Sequence, residues 1–216
     1  MADNPSDYFV RIEDTLVGRK AGSGASEKAR ALRSEHPTRT RAERLLRKRT
    51  DERSWRRGAS GERVVGWLLD RLPDGWHVFH DIPVGTRGAN IDHVVVGPAG
   101  VFTINTKNLR GKASVAPRTL RVNGYRTDHL PKAVREAERA SQLLSKALGR
   151  NVDVRAVLAL IVDELEIRAQ PADAFVGTPR GVKRWLLGLP PSLTHREVIE
   201  ICGAAARPST WAPPGR

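Results

Sequence analysis

Asp92, Asn105 and Lys107 are the residues whose types and spacing could do chemistry in this chain. They sit at the open end of two apolar runs, Asn90-Ile91-Asp92-His93-Val94-Val95-Val96 and Val101-Phe102-Thr103-Ile104-Asn105-Thr106-Lys107-Asn108. Gly97-Pro98-Ala99-Gly100 joins the two. A hairpin symmetric about Pro98-Ala99 pairs positions that sum to 197, which sets Asp92 opposite Asn105. Side chains alternate along a strand, so Lys107 shares the face of Asn105. Glu62, in the first turn of a helical run, adds a second acid. Two carboxylates with neighbouring oxygen ligands suit a hard divalent cation such as Mg²⁺ or Mn²⁺. A lysine beside them can orient or deprotonate water, or neutralise charge building on a phosphate. These are the parts of metal-assisted phosphodiester hydrolysis. The competing reading is a strand-end salt bridge, worth about 0–1 kcal/mol.

Several elements must position these groups. Ser60 opens a helix over residues 62–72 with Val64, Val65, Leu68, Leu69 and Leu72 toward the core, and Pro73-Asp74-Gly75 stops it. Trp76 to Ile82 alternates as a strand, and the central hairpin covers 89–97 and 100–107. Lys112 to Val115 and Thr119 to Val122 form another hairpin, with Asn123-Gly124 as a following turn. Residues 131–148 are an amphipathic helix with Ala133, Ala137, Ala140, Leu144 and Leu148 on its buried side, ended by Gly149. Val154 to Val162 is apolar enough for a central strand covered on both faces. Short helices are expected over 182–187 and 196–205. This order predicts one α/β domain with a mixed sheet over residues 58–206. A basic arm over 1–57, with a loosely ordered leader to residue 25, precedes it. A mobile tail over 207–216 follows.

The formal net charge is +13, and residues 26–57 hold twelve Lys or Arg against five Asp or Glu. A basic surface concentrates polyanions, so nucleic acid is the expected partner, with Arg44, Arg47 and Lys48 in the arm among its contacts. Codon bias toward Arg is the bland alternative. A lone cysteine, Cys202, excludes an internal disulfide and a Cys-based zinc site. No apolar run approaches the roughly 18–20 residues of a membrane helix, so no membrane is expected as a partner. Met1-Ala2-Asp3-Asn4-Pro5 lacks the basic-then-apolar order of a secretory signal. The expectation is a cytoplasmic protein. His77 and His80 point to opposite faces of one strand and cannot pair on a metal. His93 points away from Asp92 and reads as a satisfied buried histidine.

Gly61-Glu62, the block from Asn90 to Phe102, Thr106-Lys107-Asn108 and Gly111 resemble the nuclease-related domain (NERD) family. That family is similar to the PD-(D/E)xK nucleases. The resemblance implies a restriction-endonuclease-like core, α-β-β-β-α-β, with a central mixed β-sheet flanked by helices. It further implies that Glu62 and Asp92 hold Mg²⁺ (or Mn²⁺) and that Lys107 is the catalytic lysine. The acid of the family's acid-x-lysine motif falls on Asn105, which offers a carbonyl oxygen without the charge. Gln142 is a candidate for the helix residue that completes such sites. Asn108, Arg110 and Lys112, just past the lysine, suit contact with a nucleic-acid backbone. The implied activity is DNA hydrolysis in processing, repair or defence. The alternative is a catalytically degenerate fold that binds DNA; an RNA partner and a homodimer also remain open.

Overall fold

Two apolar strands that turn back at Gly97-Pro98-Ala99-Gly100 seed a five-stranded sheet. The computed structural model describes residues 15–22, 57–85 and 89–212. A helix α1 over 57–69 leads into strands β1 (His77–Val84), β2 (Ala89–Gly97) and β3 (Gly100–Asn108). Strands β4 (Lys112–Ala116), β5 (Thr119–Val122) and β6 (Tyr125–Arg126) come next, then helix α2 (His129–Leu148). Strands β7 (Val154–Ile161), β8 (Glu164–Ile167) and β9 (Ala174–Gly177) follow. Helices α3 (Pro179–Gly188), α4 (His195–Ala206) and α5 (Pro208–Trp211) complete the described chain. The main sheet has the order β1-β2-β3-β7-β9, and a smaller one the order β6-β5-β4-β8.

The fold is α/β with a mixed sheet flanked by helices. β1, β2 and β3 run antiparallel, while β7 joins β3, and β9 joins β7, in parallel. The β2–β3 ladder pairs His93 with Ile104 and Gly97 with Gly100, the expected register, so Asp92 and Asn105 are next in line. On the other side, His80 pairs with His93 and Ile82 with Ile91. That register puts Asp81 across from Asp92, where the ladder skips a step because Asp81 has φ 51°.

Helices cover both faces of the main sheet. Ala133 and Ala137 of α2 pack with Leu158 and Leu160 of β7; their small side chains let the helix lie close. On the opposite face, Val65 and Leu69 of α1 and Val182 and Leu186 of α3 meet Phe102, Ile104, Val157 and Ala159. Among the described residues, no helix is long and apolar enough to cross a membrane.

Four expectations need correction. α1 already runs from residue 57, so Glu62 lies beyond its first turn. Val64 is 48 % exposed, because a stripe with 3.6-residue periodicity through Val65 and Leu69 leaves it outside. Residues 15–22 are docked rather than loose: Leu16 is buried, and its N–H donates to the Ala206 carbonyl at 2.9 Å. Residues 208–212 are also docked rather than mobile, as Trp211 is buried and donates from Nε1 to the Ala205 carbonyl at 2.9 Å, while 213–216 lie outside the described residues.

Candidate active site

Asp92 is placed by the last steps of the β2–β3 ladder. Its Oδ2 accepts the Thr106 backbone N–H at 2.7 Å, which fixes the carboxylate beside the strand that bears Asn105 and Lys107. The residue keeps some exposed surface, yet protein packs closely around the carboxylate. Burial pushes its pKa up, against the opposing pull of Lys107 and the Thr106 N–H, and the charge of Asp81 adds to the rise. Lys107 is half-buried and donates from Nζ to the Thr106 carbonyl at 3.1 Å. Its positive charge lowers the pKa of Glu62, Asp92 and a third acid, Glu136.

Gly61 brings Glu62 into this group. A Cβ at position 61 would stand 2.9 Å from the Asn108 Cβ, so only glycine lets α1 approach the end of β3 so closely. Burial, then the charges of Asp92 and Asp81, raise Glu62 to about 7. Glu136 arrives from α2 and receives the Asn105 amide: Nδ2 donates to its two oxygens at 3.2 and 3.5 Å. Burial, followed by the charge of Asp92, raises Glu136 to about 8. A carboxylate thus stands next to the position where Asn105 departs from the family pattern.

Glu136 escaped the sequence reading although a signal was there. It lies three residues from Ala133 and four from Ala140, so a charged residue shares an otherwise apolar helical stripe. Gln142, on the same helix, is exposed, six positions further along and on another side. Asn108 donates from Nδ2 to the Arg57 carbonyl at 2.9 Å and so ties α1 to β3. Lys112 pairs with Glu164 at 2.7 Å and Glu166 at 3.2 Å on the small sheet. Arg110 is exposed. Arg44, Arg47 and Lys48 lie outside the described residues.

Behind the site, His93 is fully buried and satisfied. Its Nδ1 meets His80 Nδ1 at 2.8 Å, and its Nε2 lies 3.5 Å from Thr106 Oγ1. His80 Nε2 in turn meets Asp70 Oδ1 at 2.8 Å. Burial, then the charge of His80, holds His93 down to about 3, so this ring is neutral at physiological pH.

The donor set fits a hard dication. Burial raises the carboxyls of Glu62, Asp92 and Glu136; the charge of Asp92 adds to the rise of the two glutamates and that of Asp81 to the rise of Glu62 and Asp92, with Lys107 to offset them. A bound cation removes that repulsion. Among the described residues no three acidic or histidine side chains already cage an ion, so the fit is to an open site that water or substrate completes.

Residues 57–162 match the family model described as the nuclease-related domain. That stretch of the chain is a nuclease-related domain. It spans α1 to β7 and therefore contains Glu62, Asp92, Asn105, Lys107 and Glu136. An uncharacterized protein of Bacillus anthracis is 37% identical to this chain over 59 residues, 26% of this chain and 28% of that protein. The match thus spans little more than a quarter of that relative's length. No solved structure matches.

Proposed function

We propose that this nuclease-related domain is a cytoplasmic enzyme that hydrolyses phosphodiester bonds in DNA with the help of Mg²⁺ or Mn²⁺. The observation that carries this reading is the charge cluster at the end of the β2–β3 hairpin. There, Lys107 faces Asp92, Glu62 and Glu136, all with raised carboxyls. Glu62 and Asp92 would hold the cation, with the Asn105 carbonyl oxygen as a neutral ligand. When bound, such a cation polarises the phosphate and lowers the pKa of a coordinated water. Lys107 neutralises charge that builds on the phosphate oxygens. Thr106 N–H fixes the orientation of Asp92. Glu136 holds the Asn105 amide, which turns that residue's carbonyl away from the helix.

The test is cleavage of plasmid and single-stranded DNA with Mg²⁺ or Mn²⁺, by the wild type and by Asp92→Ala and Lys107→Ala. Each substitution should lower the rate by about a hundredfold or more. Activity that survives both rules out this site. Asn105, in place of an acid, favours a second reading: a nuclease-like fold that binds DNA without cutting it. That reading predicts salt-dependent affinity and no cleavage with any divalent cation.

A further inference from the structure

We propose that residues 15–22 form a strap that sets the position of α1, and with it Glu62, and that Arg19 is the positioning residue of this strap. The strap lies outside the residues that match the family model. One end is fixed to the core and to α4. Leu16 donates its N–H to the carbonyl of Ala206, the last residue of α4, and shares a core cluster with Phe79, Ile82 and Trp211. Midway along, Arg19 Nη2 donates to Asp81 Oδ2 at 3.0 Å. The other end lies on α1. A Cβ at Gly66 would stand 2.7 Å from the Ala21 Cβ, so the absence of a side chain there admits the strap. A Cβ at Gly22 would stand 3.4 Å from the Ala59 carbonyl oxygen and 3.5 Å from Glu62 Oε2.

Ala59, Glu62 and Gly66 are spaced i, i+3 and i+7, so they share one flank of α1, and the strap runs along it. Gly61 is on the other flank, against the end of β3. Glu62 is thus carried by a helix gripped from two sides. The grip matters because Glu62 and Asp92 come from different elements. Asp92 is fixed within the sheet by the Thr106 N–H, whereas Glu62 moves with α1. Two carboxylates that share a cation must keep their spacing to about 0.5 Å. Arg19 locks the strap by its charge. Asp81 is buried, lies across from Asp92 and is turned to φ 51°, a rare conformation for a residue with a side chain. In that pose it accepts from Arg19 and, at 2.6 Å, from Asn90 Nδ2. Removing Arg19 takes a cation away from a buried carboxylate, a loss that disfavours the observed pose. Arg19 Nε is itself buried with no hydrogen-bond partner among the described residues. Burying a donor without an acceptor costs stability, so stability alone does not account for this arginine. That the strap tunes a cation site rests on the nuclease reading; its hold on α1 does not.

The test measures hydrogen exchange of the α1 amides in cation-free full-length protein, and Mn²⁺ affinity by calorimetric titration. Gly66→Ala adds a methyl that suits a helix but displaces Ala21. It should speed exchange over residues 62–69 by about threefold or more and weaken Mn²⁺ binding about tenfold. Better helix propensity alone would slow that exchange. Adding Ala21→Gly removes the methyl that the new one strikes, and should restore both readings. Arg19→Gln should act as Gly66→Ala does, while Arg19→Lys, which keeps the charge, should lose less. In a Glu62→Gln background neither strap variant should weaken Mn²⁺ further, because the strap acts through that carboxylate. Unchanged or slower exchange in both Gly66→Ala and Arg19→Gln overturns the proposal. So does wild-type Mn²⁺ affinity in variants whose exchange has risen, or a loss that Ala21→Gly does not restore. A wild type that binds no Mn²⁺ sinks the cation reading of the site, while the exchange still decides whether the strap holds α1.

Discussion

The two sheets of this molecule treat charge in opposite ways. In the five-stranded sheet, ionic side chains gather at one end of an apolar layer, and burial raises Glu62, Asp92 and Glu136. In the four-stranded sheet, charges spread over an open surface where acids and bases pair in water, as Lys112 does with Glu164. An acid kept from water responds strongly to whatever cation approaches it, since little solvent competes. An acid on the open sheet is screened and already matched. The first arrangement suits chemistry on a bound group; the second suits reversible contact with a polyanion.

Asp92→Asn sharpens this contrast most. The amide can still accept the Thr106 N–H but carries no charge. Cation-dependent cleavage should fall by about a hundredfold or more, while the cation-free melting midpoint at pH 7 holds or rises. Calorimetry beside a cleavage assay checks both, and a large loss of stability would contradict the picture of a strained buried charge.

The pH dependence of stability comes next. Glu62 at about 7 and Glu136 at about 8 start from 4.5 when unfolded. In that window the folded chain binds more protons than the unfolded one, so stability falls as pH rises toward 8. His93, held at about 3 against an ordinary 6.5, acts in the opposite sense below 6.5. The decline should therefore be clearest between pH 6.5 and 8. Urea denaturation across that range tests it, and Glu136→Gln should flatten the slope. A profile that rises there instead would break the comparison.

The smallest effect belongs to the open sheet. Lys112→Gln removes two exposed ion pairs, to Glu164 and Glu166, and should leave the urea midpoint within experimental error. A clear drop would mean that the small sheet also relies on its charges.

The hairpin was legible because a Gly-Pro-Ala-Gly turn between two apolar runs admits one register, and that register puts Asp92 beside Asn105. The central strand β7 was legible from its unbroken apolar run. Strands β6, β8 and β9 were not, because two to four residues, half of them charged in β8, show no period. Asn105 looked like the loss of an acid because sequence spacing follows one strand only. Glu136 reaches the same place from a helix 31 residues later. Residues 15–22 looked loose for a related reason: one buried leucine in a polar stretch carries no pattern.

That short segment has a consequence for the order of synthesis. Thr15 and Leu16 meet Ala206, 191 residues beyond Thr15, and Arg19 pairs with Asp81 at 3.0 Å. At the usual pace of translation, about 10 to 40 seconds pass between the emergence of one partner and the other. Throughout that interval Leu16 lacks the helix on which it rests. The newborn chain must therefore keep residues 15–22 in waiting until the helix that ends at Ala206 has left the ribosome.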